Sequence, residues 1–263
     1  MSNTGRIYVL TVISFLFDYL CIHRRCVPLV HVQGPTHCDN PQVKSAPLPR
    51  WTQLSHRRLQ TWPSALTKNN SLLASPLPAW LRSPIIEPRF EALRIFNDAP
   101  HKGPNHVLVN EYQPGQGIMP HEDGAAYYPL VATVSLGAPI VLDLYHKPTQ
   151  GDREENNGAP AKAGRDVAGI PDANRKPQYR ILQERRSLLI TRGKLYTDLL
   201  HGIEETTRDE ALGPHSICNW GLLRERESYQ SGWYERQTRT SLTYRDVLHV
   251  VKMGNTLKFL GGR

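Results

Sequence analysis

The stretch NHVLVNEYQPGQGIMPHEDGAAYYP, residues 105–129, combines a strand pattern, a Gly/Pro turn and two metal-ligating residue types in one short run. Val107, Leu108 and Val109 followed by Asn110, Glu111 and Tyr112 read as a strand, and Gln113-Pro114-Gly115-Gln116-Gly117 reads as the turn that ends it. His121-Glu122-Asp123 follows. In extended backbone, side chains alternate between faces, so His121 and Asp123 point one way and Glu122 the other. One imidazole nitrogen and one carboxylate oxygen on one face make half of a metal site. A third ligand is available in His201, on a later strand pattern. Two histidines and a carboxylate on one face of an octahedron suit non-haem Fe(II) and leave positions open for an oxidant and a co-substrate. Taken alone, an H-x-D tripeptide is weak, and a lone histidine is more often a surface or satisfied core residue.

Moving outward, residues 130–136 and 140–145 are strand candidates joined by Gly137-Ala138-Pro139, a spacing that predicts a hairpin. Residues 148–180 are polar and rich in Gly and Pro. They hold too little apolar surface to offset their ordering entropy, which predicts a flexible insertion. Strand patterns resume at residues 187–191, 196–203 and 239–245. Toward the N-terminus, prolines from Pro47 to Pro88 punctuate loops and short helices. Many short strands between Gly/Pro turns predict a mainly β double-sheet, jelly-roll core with a helical or irregular N-terminal layer. The expected organisation is an atypical segment over 1–45, an extension over 46–104 and the core over 105–263.

Residues 239–245, RTSLTYR, place Arg239, Ser241, Thr243 and Arg245 on one face and Leu242 and Tyr244 on the other. Two inward arginines are costly unless an anion neutralises them. A dicarboxylate would do so, because guanidinium matches carboxylate in bidentate fashion. Their Cα atoms would lie roughly 20 Å apart, at about 3.3 Å per residue, so both side chains must lean toward a short ligand. The alternative is an edge strand whose arginines are solvated.

The net charge is +8, and the excess sits early: the first 100 residues hold 11 basic against 5 acidic side chains. Such an arm suits a polyanion, although simple solubility would also explain it. Cys21, Cys26, Cys38 and Cys218 lack a close C-x-x-C pair and read as free thiols of a reducing compartment rather than a zinc finger. The apolar run over residues 7–21 is shorter than the roughly 20 residues of a spanning helix and is broken by Asp18. No stable membrane association is expected. Residues 51–62, WTQLSHRRLQTW, interleave aromatic and basic side chains, as base stacking with phosphate contact requires. Packing of Trp51 and Trp62 onto the domain is the other reading.

Asn110-x-Tyr112, His121-x-Asp123, His201-Gly202-Ile203 and Arg239-x5-Arg245 occur together in the order found in AlkB-like dioxygenases. From Trp51 to Arg263 the chain resembles that family. The resemblance implies a double-stranded β-helix that uses Fe(II), with 2-oxoglutarate and O2 as co-substrates. His121, Asp123 and His201 would hold the iron. Arg239 would bind the distal carboxylate of 2-oxoglutarate, Arg245 would help hold the end that chelates iron, and Asn110 and Tyr112 would add hydrogen bonds. Ser241 stands where the family often has Asn, and Thr133 where a small hydroxyl residue lines the same pocket. The region around Trp51 looks like the nucleotide-recognition lid, with Trp51 stacking on a base. The implied activity is oxidative N-demethylation of alkylated bases in DNA or RNA, by a monomer of the nucleus and cytoplasm. Two rival readings keep the fold: a dioxygenase acting on protein, and a catalytically silent nucleic-acid-binding relative.

Overall fold

Alternating apolar and polar side chains over most of the second half of the chain build two antiparallel sheets that share one interior. The structure, a computed structural model, describes residues 13–14, 20–22, 25–27, 50–83, 85–147 and 176–252. Readings that fall on other residues, including most of the insertion and of the first 45 residues, lie outside the described residues. The larger sheet has the order β1 (Ile13–Ser14), β12 (Ser187–Arg192), β9 (Tyr127–Gly137), β16 (Arg239–Val247), β7 (His106–Tyr112), β5 (Arg58–Trp62) and β4 (Thr52–Gln53). The smaller has the order β11 (Tyr179–Gln183), β10 (Ile140–His146), β13 (Leu199–Ile203) and β8 (Ile118–His121). Three two-stranded pairs complete the set: β2 (Leu20–Ile22) with β3 (Arg25–Val27), β6 (Leu72–Leu73) with β17 (Val250–Val251), and β14 (Arg208–Asp209) with β15 (Tyr234–Glu235). This is a jelly-roll core.

The period of two divides the larger sheet into two working faces. Val107, Val109, Ala132, Val134, Leu188, Ile190, Leu242 and Tyr244 face outward and pack under the N-terminal layer, against Leu77, Leu81, Phe90, Ile95 and Phe96. That layer contains the short helix α1 (Ala79–Arg82) and irregular turns, as expected. Tyr244 sits edge-on to Phe90 at 5.0 Å, and its hydroxyl donates to the Leu81 carbonyl at 3.0 Å. Burying each such side chain contributes roughly 1.5–3 kcal/mol. The inner face meets the smaller sheet, where Tyr112 and Leu189 join Ile140, Leu142, Leu144, Ile181, Leu199 and Ile203.

Three sequence expectations are corrected. Strands β9 and β10 form no hairpin, because they lie in different sheets. Gly137, with φ of +75°, turns the chain from one sheet to the other, and a Cβ there would stand 2.6 Å from the Thr238 carbonyl oxygen. The strand expected over 196–203 is shortened by a helical turn, α2 (Lys194–Thr197), before β13 begins. The expected insertion reaches too far, since Tyr179 and Arg180 already belong to β11. Among the described residues, no helix is long and apolar enough to cross a membrane.

Candidate active site

Strand register lays out the inner face of the larger sheet as four rows. Tyr112, Arg239 and Gly137 form the first, and Leu59, Asn110, Ser241 and Ser135 the second. Thr61, Leu108, Thr243, Thr133 and Leu189 form the third, and His106, Arg245, Val131 and Thr191 the fourth. Arg239 and Arg245 thus stand at opposite ends of the floor of one pocket, with Ser241 and Thr243 between them.

Arg239 is 2% exposed. Its Nε and Nη2 donate to Ser135 Oγ at 3.1 and 2.8 Å, and Nη2 also donates to Gln183 Oε1 at 3.1 Å. These partners are neutral, and burial lowers the guanidinium pKa to about 10, so it remains charged at neutral pH. A buried cation held only by neutral acceptors is the setting for an anionic ligand. Tyr112, beside it, is a phenol whose pKa burial raises further, so it stays protonated. At the other end, Arg245 pairs with the Asp123 carboxylate and lies 4.7 Å from the Tyr127 ring centroid. Its Nε has no hydrogen-bond partner. Next to it in register, His106 is 2% exposed, and burial followed by the Arg245 charge lowers its pKa to about 4.

The smaller sheet supplies the opposite wall. His121 of β8 and His201 of β13 are direct cross-strand partners, with ring centroids 4.3 Å apart. Gly202 lets these strands approach: a Cβ there would stand 3.0 Å from Pro120 N and 3.1 Å from the Ile118 carbonyl oxygen. Burial lowers both imidazole pKa values, that of His201 to about 4, so both rings are neutral at pH 7. His121 Nδ1 lies 2.9 Å from the Met119 carbonyl. A carbonyl only accepts, so Nδ1 carries the proton and Nε2 keeps its lone pair for a ligand. Asp123 lies in the coil just after β8, not on a strand as the alternation argument assumed, and it lines the same pocket. Glu122 points away and pairs with Lys147.

The donor chemistry fits a 2-His-1-carboxylate iron site: two neutral imidazoles and one carboxylate line one pocket. As placed, the Asp123 carboxylate is turned to Arg245, and among the described residues no three His, Cys, Asp or Glu side chains stand in metal-holding positions.

Trp51 is not brought into the pocket. It is partly buried against the outer core, and its ring already carries the Arg58 guanidinium at 4.2 Å. Arg58 in turn makes a bidentate pair with buried Glu111, at 2.7 and 3.0 Å. Trp51, expected to stack on a base, therefore lies outside the pocket lining, with Arg58 over its ring. The neighbouring Arg57 does reach the pocket, where its Nε donates to Asn110 Oδ1 at 3.3 Å. Three guanidiniums and one carboxylate therefore line the pocket, a net positive lining suited to a dianion. Sequence reasoning missed Ser135, Gln183, Tyr196 and the Met119 carbonyl. Ser135 was findable, two residues from Thr133 in the same strand, whereas Gln183 carries no motif.

The 2OG-Fe(II) oxygenase superfamily matches residues 23–245, a span that contains His121, Asp123 and His201 and ends at Arg245. The chain is 38% identical over 224 residues to "Probable RNA/DNA demethylase ALKBH6" of Danio rerio, spanning 84% of this chain and 82% of that one. It is 28% identical over 154 residues to "tRNA (carboxymethyluridine(34)-5-O)-methyltransferase alkbh8" of Xenopus tropicalis, spanning 56% of this chain and 19% of that one. The solved structure of OsALKBH1 aligns with 74% of this chain and 84% of its own, at 18% identity and a TM-score of 0.39.

Proposed function

This chain belongs to the 2OG-Fe(II) oxygenase superfamily, as an AlkB-like dioxygenase, and we propose that it removes N-methyl groups from nucleic-acid bases by oxidation. The superfamily implies Fe(II) and 2-oxoglutarate. In this reading His121, Asp123 and His201 hold the iron. The observation that carries it is the pair of neutral histidines facing a floor with an arginine at each end.

Iron with 2-oxoglutarate and O2 supplies, when bound, the oxidising power that hydroxylates a substrate C–H bond as the co-substrate becomes succinate and CO2. The chain's own residues do the positioning. Ser135 and Gln183 fix the Arg239 guanidinium, leaving its other N–H groups to grip the distal carboxylate. Tyr112, kept protonated by burial, and Asn110 can donate to the same ligand, with Ser241 and Thr133 beside them in the floor. Arg245 balances charge next to Asp123 and would help hold the end of 2-oxoglutarate that chelates iron. Leu142, Leu144, Leu189 and Ile203 line the walls and exclude water from the reacting groups. A hydroxylated N-methyl group is a hemiaminal, which loses formaldehyde and leaves the amine.

The nucleic-acid assignment is supported by the basic N-terminal third, by Arg57 at the pocket, and by the demethylase name of the relative from Danio rerio. Nuclear and cytoplasmic residence goes with it. The test is formaldehyde and succinate release with Fe(II) and 2-oxoglutarate on a panel of methylated DNA and RNA oligonucleotides, with methylated peptides as the rival arm. Release on the oligonucleotides is expected; release on the peptides alone would replace the nucleic-acid reading with a protein one.

A further inference from the structure

Among the pocket side chains that the iron and co-substrate roles leave unassigned at the Arg245 end, Thr191 and Thr243 among them, Tyr196 is the one whose polar atom is buried without a partner. Tyr196 is carried on α2, whose neighbouring Leu195 is buried in the interior between the sheets. That anchor turns the Tyr196 ring into the pocket. Its hydroxyl is buried and has no hydrogen-bond partner. The charged groups acting on it are Asp123 and Arg245, with Glu122 further down the order. Asp123 and Arg245 pair with each other, and neither makes a hydrogen bond to the phenol. The Arg239 end, where a distal carboxylate would sit, is six residues away along β16.

A buried hydroxyl without a partner is disfavoured, and an acceptor brought by a ligand would satisfy it. A molecule lying across the histidine pair at the end away from Arg239 would bring such an acceptor. We propose that Tyr196 orients the substrate, its hydroxyl donating a hydrogen bond to a carbonyl oxygen or ring nitrogen of the base that bears the alkyl group. This rests on the nucleic-acid reading above. Burial raises the phenol pKa to about 12, so the group is a neutral donor throughout the physiological range. An oxygen or nitrogen acceptor on the base edge would fix the ring's rotation, and thereby which N-alkyl carbon faces the two histidines. Tyr196 is a substrate-positioning residue and takes no proton in the reaction.

The test is Tyr196→Phe in the full chain, read four ways against wild type. Melting should be unchanged or slightly higher, since the lost hydroxyl had no partner; a marked drop would mean that it serves the fold and would overturn the proposal. Consumption of 2-oxoglutarate without substrate, and the KM for 2-oxoglutarate, should be unchanged; a raised co-substrate KM would give the donor to the co-substrate instead. Binding of a labelled methylated oligonucleotide, by anisotropy with Mn(II) in place of iron, should weaken about three- to ten-fold, the loss of one net hydrogen bond. The fraction of 2-oxoglutarate turnover that yields formaldehyde should fall as well. Wild-type binding and coupling in the variant would refute the role of Tyr196 while leaving the demethylase reading intact. A wild-type protein that neither binds nor demethylates any oligonucleotide would remove that reading, and this inference with it.

Discussion

Replacing Arg239 with methionine separates what that side chain costs the fold from what it gives to binding. Burial takes its guanidinium from an ordinary value of 12.5 to about 10, which corresponds to about 3 kcal/mol of unfavourable burial in the ligand-free protein. Arg239→Met removes that cost and keeps much of the side-chain volume. It also strips donors from Ser135 Oγ and Gln183 Oε1, which costs about 1–3 kcal/mol per unsatisfied group unless the two bond each other. The terms oppose, so ligand-free stability should change by no more than about 3 kcal/mol in either direction. The binding side has no such compensation. Losing a charge-assisted contact costs about 1.5–3 kcal/mol, a ten- to hundred-fold rise in the Kd for 2-oxoglutarate. Urea unfolding with and without 2-oxoglutarate, with Mn(II) present, reads both effects. At 100 times the wild-type Kd the ligand should stabilise wild type by about 2.7 kcal/mol and a hundred-fold weakened variant by only about 0.4 kcal/mol. A variant stabilised as much as wild type would show that Arg239 is not the carboxylate grip, and the assignment of the floor would fall.

Asp123→Ala should abolish turnover and also destabilise the ligand-free protein by about 3–5 kcal/mol, because it leaves Arg245 buried and unpaired; unfolding should show partial recovery in the Asp123→Ala, Arg245→Ala double variant while activity stays absent. His106 sets an acid limit. Its folded pKa is lowered by burial and then by Arg245 to about 4, so between pH 6.5 and 4 the unfolded chain binds a proton that the folded chain does not. Its contribution is complete above pH 6.5 and falls by up to about 3 kcal/mol as pH drops to 4. His106→Gln should flatten that part of the stability-against-pH curve, and an unaltered curve would contradict the burial argument. Trp51→Ala should lower stability by about 1–3 kcal/mol, as a packed and cation-capped ring, while oligonucleotide anisotropy stays near wild type; weakened binding with unchanged melting would restore Trp51 as a stacking platform.

The strands with clean alternation were legible because one face of each is core and the other is pocket, and β16 is the clearest case. Arg239 and Arg245 could be placed on one face from spacing alone. The hairpin expected at Gly137 failed because a Gly/Pro break looks the same whether the chain folds back within a sheet or crosses to the opposite one. Asp123 was assigned to the pocket by extending strand geometry beyond the end of β8. Its pairing with Arg245 depends on how the sheets stack, which local pattern does not encode. Arg57 and Arg58 look equivalent in the sequence, yet they meet opposite fates. Arg58 stands across from buried Glu111 and is neutralised, while Arg57 reaches Asn110 and the pocket. Gln183 is informative only once β11 is known to lie over Arg239.

The docking of β5 on β7 bears on attempts to exchange specificity between relatives. The segment that carries Arg57 is hydrogen-bonded strand to strand with the one that carries Asn110 and Tyr112, and Arg58 is held by Glu111 from that same strand. A chimera joined between them, at the break that the sequence suggests near residue 104, would bring in a foreign β5 without its carboxylate anchor. It would bury Glu111 without its cation and move the guanidinium at the pocket wall. Grafts that carry residues 50–112 as one cassette keep every one of these pairings, so transplanted selectivity should travel with that cassette and be lost from shorter ones.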